Sequence, residues 1–138
     1  MLIIALSPAV LEIRTSDQVN GARKFIQELA IKLAFGTLER TKFVTAASEL
    51  ARNTLVHGKG GTVTITEVER DGRTGIKLVF ADEGPGIPDI ERALEDGYST
   101  AKSMGLGLGG ARRLVNEFEI TSTVNGGTRV SITQWKRR

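Results

Sequence analysis

The stretch Ile76-Lys77-Leu78-Val79-Phe80-Ala81-Asp82-Glu83-Gly84-Pro85-Gly86 decides the fold of this chain. It begins with a nearly continuous apolar run, which predicts a central strand from Thr74 to Ala81. An acid and a glycine turn end the run. Because glycine permits a tight turn, we expect the carboxylate of Asp82 at the edge of the sheet. A carboxylate there accepts hydrogen bonds, so it predicts a site for a polar group that carries donors.

A second glycine cluster, Gly105-Leu106-Gly107-Leu108-Gly109-Gly110, precedes an apolar run with helical spacing. That run predicts a helix from Gly107 to Glu117. Glycines just before a helix let backbone N–H groups approach an anion, and the helix N-terminus adds partial positive charge. The cluster therefore predicts a phosphate site. A phosphate site combined with a carboxylate that recognises donors indicates a nucleotide.

Two other glycine motifs that hold phosphates fit this sequence poorly. A Walker A loop needs a Lys-Ser/Thr pair after its second glycine, whereas residues 58–62 have the wrong order and lead into a strand. Gly105, Gly107 and Gly110 do match the bare pattern G-x-G-x-x-G of dinucleotide-binding folds. However, no strand immediately precedes them, and no acid for a ribose stands about 20 residues further on. The dinucleotide interpretation is therefore disfavoured.

The composition fits one soluble globular domain. We expect residues 1–138 to form a single domain, because 138 residues allow a real core and leave little room for a second one. Apolar residues make up 40% and charged residues 25%, as in ordinary globular proteins. Cysteine is absent, which excludes disulfides, thiolate chemistry and cysteine metal sites. This agrees with a reducing cytoplasm, where we expect the protein.

The charge pattern and the N-terminal sequence argue against nucleic-acid and membrane partners. The net charge of +3, from 19 basic and 16 acidic residues, favours a mixed surface and also suits an anionic ligand. Lys136-Arg137-Arg138 is interpreted as a solvating tail, since no basic stripe with aromatic residues accompanies it. No basic segment precedes the apolar residues 2–6, so we expect neither a signal peptide nor a membrane span.

The remaining periodicities predict a two-layer α+β sandwich, with helices covering one face of a mixed, mostly antiparallel sheet. Asp17 and Gly36 are the expected N-cap and C-cap of the first helix, and Thr37 is the expected N-cap of the second. The predicted elements are a strand 10–15, helices 17–35 and 37–57, strands 62–70 and 74–81 joined by a turn at 71–72, a short helix 88–95, a helix 107–117, and a hairpin of 119–124 and 128–135.

Glu49, Asn53 and His57 are spaced by four and therefore lie on one face of the second helix. A solvent-exposed stripe explains this spacing equally well from periodicity alone. The stripe, however, lacks the lysines and arginines of a solvent-facing surface, apart from Arg52. The Asn53 oxygen suits Mg²⁺, and the Glu49 carboxylate can accept or position the proton of an attacking hydroxyl in phosphoryl transfer. We expect a structural or supporting role for His57, because a lone histidine seldom makes a metal site.

Three short motifs, in order and at a lid-like separation, resemble the N, G1 and G2 boxes of the GHKL ATPase/kinase superfamily. They are Glu49-x-x-x-Asn53, Asp82-x-Gly84-x-Gly86 and Gly105-x-Gly107-x-Gly109. Thr128, after Gly127, matches the adenine-side Gly-Thr of that superfamily. The stretches 48–53, 82–89 and 95–100 are similar in particular to the RsbT-type switch serine kinases of the bacterial anti-sigma kinase family.

The resemblance implies a Bergerat ATP-binding fold that holds ATP and Mg²⁺. It implies that Glu49 is the catalytic carboxylate and that Asn53 contacts the nucleotide as the Mg²⁺ ligand. It also implies that Asp82 accepts a hydrogen bond from the adenine amino group, with Thr128 near the base. The other implied nucleotide contacts are Gly84 and Gly86, which admit the base and let the lid hinge, Lys102, which reaches the terminal phosphate, and Gly105, Leu106, Gly107, Leu108 and Gly109, which wrap the phosphates.

The function implied by the resemblance is an ATP-dependent protein serine/threonine kinase. Its expected substrate is a STAS-domain antagonist of the RsbS/RsbR type in a bacterial partner-switching, stressosome-like pathway, and its expected target is a phosphatase or another output enzyme. A histidine kinase is disfavoured, since the only histidine, His57, lies on the predicted ATP-site helix. Two alternatives stay open: an anti-sigma factor that sequesters a sigma factor, and a nucleotide sensor without turnover, against which Glu49 argues.

Overall fold

A computed structural model describes residues 3–5, 8–95 and 107–137 of the chain. The expectations for Lys102, Gly105 and Leu106 therefore lie outside the described residues. No helix in the described ranges has the length and apolar character that crossing a membrane requires. The strands are β1 (Ile3–Ala5), β2 (Ala9–Ile13), β3 (Gly61–Arg70), β4 (Arg73–Asp82), β5 (Glu117–Thr123) and β6 (Gly127–Trp135), and the helices are α1 (Ser16–Lys32), α2 (Thr37–Val56), α3 (Ile90–Ala93) and α4 (Leu108–Arg113).

The strands form one sheet in the order β1-β3-β4-β6-β5, and β2 also pairs with β3. Every pairing among the described strands is antiparallel. The predicted central strand is β4, in which Phe80 lies opposite Val63 of β3 and Val130 of β6. The turn at 71–72 is also confirmed, because Asp71 and Gly72 both have positive φ angles, of 51° and 78°.

Helices α1 and α2 pack on one face of the sheet, which confirms the predicted α+β class. Alternation along β4 decides which side chains reach that face: Leu78 and Phe80 are buried there, whereas Lys77, on the opposite face, is exposed. Asp82 stands two residues after Phe80, so the same alternation directs it toward the helices. The largest fully buried side chains of this core are Ile13, Ile26, Phe43, Leu50, Val63, Ile76, Leu78, Phe80, Leu108 and Ile132.

The ends of α1 differ from the prediction. Thr15, predicted to end a strand, is the N-cap instead of Asp17, and its side chain accepts the N–H of Gln18 at 3.1 Å. The helix ends at Lys32 because Phe35, only 3% exposed, must turn into the core. Leu33 is the C-cap instead of the predicted Gly36, and Ala34 follows it with a positive φ of 62°. Gly36 is instead the N-cap of α2, so the predicted capping by Thr37 is wrong.

Helix α4 is shorter than the predicted helix 107–117. It ends at Arg113, and β5 already begins at Glu117. The reason is a pair of hydrogen bonds to β6: the N–H of Asn116 donates to Oε1 of Gln134 at 2.8 Å, and the N–H of Trp135 donates to Oδ1 of Asn116 at 2.7 Å. Because Gln134 and Trp135 lie far from Asn116 in the sequence, helical periodicity alone predicted a helix that is too long.

Candidate functional site

A cavity lies between α2, the ends of β4 and β6, and the start of α4. It combines apolar walls with the polar side chains of Asn53, Asp82 and Thr128. Its free space is about 20 Å³, room for one water molecule and too little for a nucleotide base. The lining residues are Leu50, Asn53, Thr54, His57, Phe80, Asp82, Ile87, Leu108, Thr128 and Val130.

The carboxylate of Asp82 is held in one orientation. Asp82 ends β4 directly opposite Thr128 in β6. Its Oδ1 accepts the N–H of Gly84 at 2.9 Å and the N–H of Thr128 at 3.2 Å. Because both bonds fall on Oδ1, Oδ2 is the oxygen that remains for the donor of a ligand, as far as the described residues extend.

The glycines around Asp82 are required by close packing. A Cβ on Gly58 would collide with the side chain of Asp82, and a Cβ on Gly84 would lie 2.8 Å from Cα of Gly58. Gly86 has a φ of +78°, and a Cβ there would collide with the carbonyl oxygen of Thr123. The role of Gly84 and Gly86 in admitting a base stays a prediction. The structure adds a second reason for these glycines: Gly84 lets the turn after β4 lie against Gly58, and Gly86 lets it lie against Thr123.

Hydrogen bonds fix the turn 84–87 from two sides. On the α2 side, Nε2 of His57 lies 3.2 Å from the carbonyl oxygen of Gly86. On the β5–β6 side, the N–H of Asn125 donates to the carbonyl oxygen of Pro85 at 2.8 Å, and the N–H of Ile87 donates to Oγ of Ser122 at 2.7 Å. The sequence pattern did not predict these β5–β6 contacts. One signal was present: Ser122 continues the inward-facing series of Phe118 and Ile120, where a polar residue needs a partner.

Glu49 lies one helical turn before Asn53 and outside the lining of the cavity. Its carboxylate pairs with Nη1 of Arg52 at 3.4 Å, and its side chain is 37% exposed. A Cβ on Gly107, which has a φ of +62° at the start of α4, would lie 2.8 Å from Oε2 of Glu49. Gly107 of the second glycine cluster thus lies against Glu49 of α2. Leu108 lines the cavity, and Gly109 is buried in α4.

The donor set suits a nucleotide better than a metal ion bound by protein alone. No group of three or more His, Cys, Asp or Glu side chains suited to a metal occurs in the described ranges. Mg²⁺ bound with a nucleotide takes few protein ligands and fills its shell with water and phosphate oxygens, so a single Asn oxygen is sufficient. The apolar walls and the acceptor Asp82 match a flat base that carries an amino group.

A larger depression of about 450 Å³ adjoins this cavity at Asp82, which lines both. It is lined by mixed charges, including Arg14, Lys59 and Glu83, and by the glycine loop that follows α2. Among the described residues, its lining lacks the paired apolar walls that an aromatic base needs. We therefore locate the candidate base site in the smaller cavity despite its size.

Comparison with known proteins gives the class that this fold and site define. Residues 14–134 match the family model of the histidine kinase-like ATPase domain, so the chain belongs to that family. Among individual proteins, the chain is similar to serine/threonine-protein kinase RsbT of Bacillus subtilis (strain 168). The two are 39% identical over 125 residues, which cover 91% of this chain and 94% of that protein. The resemblance predicted from the sequence is thereby confirmed.

Two further relatives widen the comparison. The anti-sigma F factor of Geobacillus stearothermophilus is 32% identical over 122 residues, covering 83% of this chain and 82% of that protein. The crystal structure of the RsbU and RsbW domains of a Mycobacterium tuberculosis protein superposes with a TM-score of 0.61, at 22% identity. That superposition covers 96% of this chain and 34% of the solved chain, and it shows the shared fold alone.

Proposed function

We propose that this protein transfers the terminal phosphoryl group of ATP to a serine or threonine of a STAS-domain antagonist in a bacterial partner-switching pathway, and that it then activates an output enzyme. The enzyme class, protein serine/threonine kinase, follows from the family and from the likeness to RsbT. One observation carries the proposal: Asn53, Asp82 and Thr128 line one cavity, and Glu49 lies one helical turn away. We expect it to act in the cytoplasm.

The base end of the site recognises adenine through Asp82. Oδ1 is occupied by two backbone N–H groups, so Oδ2 accepts the 6-amino group of the base. Phe80, Leu50 and Val130 supply apolar walls for the ring. Because the free space is about 20 Å³, Leu108 or Ile87 moves outward when the base binds.

The phosphate end of the site lies toward Glu49. Bound ATP and Mg²⁺ supply the phosphoryl group and a cation that spreads its charge. Asn53 holds the cation with its side-chain oxygen. Gly107 and Gly109 lie near the phosphates, as the family resemblance implies.

Glu49 acts on the hydroxyl of the docked protein substrate. Its carboxylate accepts the hydroxyl proton while the hydroxyl oxygen bonds to the γ-phosphorus. The bond from that phosphorus to the β–γ bridging oxygen breaks, and ADP leaves with the electron pair. Partial exposure of Glu49 suits this role, because a residue of another protein must reach it. Arg52, at 3.4 Å, holds the carboxylate in place before substrate arrives.

A second candidate function is a nucleotide-dependent anti-sigma factor. The similarity to the anti-sigma F factor of Geobacillus stearothermophilus favours it. The two functions share the ATP site and differ in the partner protein. Stable capture of a sigma factor from the same genome by this protein, without phosphorylation of a STAS protein, favours the second.

The deciding experiment follows label from γ-labelled ATP into a STAS protein encoded beside this chain, with Mg²⁺ present. The wild type transfers label, and Glu49→Gln lowers the rate by about 10²–10⁴-fold, the usual contribution of a general base. Glu28→Gln, at an exposed position of α1, is the matched control and keeps the wild-type rate. Full activity of Glu49→Gln contradicts the assigned role, and binding of ATP without any transfer contradicts the kinase function.

A further inference from the structure

Ser122 joins three groups at the base end of the cavity. It lies on β5 opposite Thr128, on the face of the sheet that packs against the helices. Its Oγ accepts the N–H of Ile87 at 2.7 Å. The same oxygen lies 3.1 Å from the carbonyl oxygen of Gly127 and 3.0 Å from Oγ1 of Thr128.

The single proton of the Ser122 hydroxyl decides how Thr128 is oriented. A serine hydroxyl donates one hydrogen bond and accepts two. The N–H of Ile87 takes one acceptor site, and the carbonyl of Gly127 can only accept. When Ser122 donates to Gly127, Thr128 donates to Ser122, and all three contacts are hydrogen bonds. When Ser122 donates to Thr128 instead, two oxygens face each other at Gly127 without a proton between them, so the first arrangement is favoured.

In the favoured arrangement the oxygen of Thr128 presents lone pairs to the cavity. Thr128 and Asp82 both line the cavity, and a carboxylate is also an acceptor. The base end therefore shows two acceptors and selects a ligand edge that carries donors. The amino group at position 6 of adenine has two hydrogens, one for each acceptor, whereas a carbonyl oxygen at that position has none and is disfavoured.

We propose that Ser122 is a positioning residue for base selectivity, which acts by keeping the Thr128 hydroxyl from donating its proton into the cavity. The proposal rests on the proposed nucleotide function of this site. Removing the Ser122 hydroxyl frees Thr128 to rotate and to donate toward the ligand. A 6-carbonyl base is then accepted and the 6-amino base loses part of its advantage.

The test measures the dissociation constants of ATP and inosine triphosphate by calorimetry. We expect Ser122→Ala to weaken ATP about 3–10-fold while leaving inosine triphosphate unchanged or tighter, a range typical for loss of one hydrogen-bond partner. Ser122→Thr retains the hydroxyl and should show the wild-type ratio of the two dissociation constants. Thr121→Ala, exposed on the opposite face of β5, is the matched control. An equal loss for both nucleotides in Ser122→Ala indicates a purely structural role and overturns the proposal.

A double variant tests whether Ser122 acts through Thr128. Once Thr128→Val has removed the hydroxyl, adding Ser122→Ala should leave the ratio of the two constants unchanged. The comparison is therefore made between the Thr128→Val single variant and the double variant, and a further drop in the ratio overturns the proposal. Wild-type protein that binds neither nucleotide overturns the proposed function itself, whereas binding with an unchanged ratio in Ser122→Ala overturns only the role of Ser122.

Discussion

Nε2 of His57 lies 3.2 Å from the carbonyl oxygen of Gly86. His57 follows the end of α2, the helix that carries Glu49 and Asn53. Gly86 stands in the turn after Asp82. The hydrogen bond therefore links the helix that carries Glu49 and Asn53 to the turn that follows Asp82. We expect the only histidine in the sequence to keep these two segments in register.

Loss of this hydrogen bond should weaken nucleotide binding more than it slows phosphoryl transfer. We expect His57→Ala to raise the dissociation constant of ATP about 3–10-fold, the scale of one hydrogen bond to a part-buried carbonyl. His57→Gln carries an amide N–H donor and should recover part of the affinity. Calorimetry with Mg·ATP measures both.

The matched control is Gln27→Ala, at a half-buried position of α1 away from the turn. It should bind ATP as the wild type does. If His57→Ala binds ATP normally, the turn is fixed sufficiently by Ser122 and Asn125, and the coupling assigned to His57 is wrong.

Gly107 and Gly110 belong to the same glycine cluster but should respond differently to alanine. A Cβ at Gly107 meets Oε2 of Glu49 at 2.8 Å, and the φ of +62° is unfavourable for alanine. Nothing among the described residues lies within 4 Å of a Cβ at Gly110, inside α4. We expect Gly107→Ala to displace Glu49 and to lower phosphoryl transfer at least about 10-fold.

Gly110→Ala serves as the control for that variant. It should retain full transfer and should stabilise α4 by about 0.5–1 kcal/mol, since alanine is the better helix former. Rates of label transfer and urea midpoints measure the two effects. Equal rates in the two alanine variants would show that the approach of Gly107 to Glu49 has no catalytic consequence.

Glu117 should contribute stability that disappears in acid. The hydrogen bond from Arg70, at 2.6 Å, lowers the pKa of Glu117 below its usual value of 4.5 against the opposing effect of burial, and Trp135 also donates to it. Because the pKa of Glu117 is lower in the folded than in the unfolded protein, the stabilisation is complete at pH values above the pKa of the unfolded protein. It is lost as the pH falls below 4.5 through the folded pKa.

Replacement by glutamine tests this pH dependence. At pH 7 we expect Glu117→Gln to lower the free energy of unfolding by about 1 kcal/mol. This is less than the loss of a fully buried charged pair would cause, because the carboxylate is partly solvated. The difference from the wild type should shrink as the pH falls below about 4.5, where the carboxyl becomes neutral in the unfolded chain, and should be lost below the lower pKa of the folded protein. Urea unfolding across this range measures it. Glu119→Gln, exposed on the same strand, is the control, and a difference that is independent of pH contradicts the assignment.

Local pattern was sufficient for the elements whose partners lie within a few residues. The apolar run before Asp82 identified the central strand, and the spacing of Glu49 and Asn53 identified their common helix face. Both are consequences of backbone periodicity. The ends of α1 and α4 were wrong, because Phe35 and Asn116 are positioned by groups far away in the sequence, namely the core and β6.

By itself, the sequence determined the α+β class, the order of the main strands and helices, and the acid and glycine segments that make the family recognisable. Only the tertiary structure decided how those segments meet. Asp82 and Thr128 stand 46 positions apart, and Ser122 and Ile87 stand 35 apart. Their hydrogen bonds depend on the register of β4, β5 and β6. Register arises from packing across the whole sheet, which no local pattern contains.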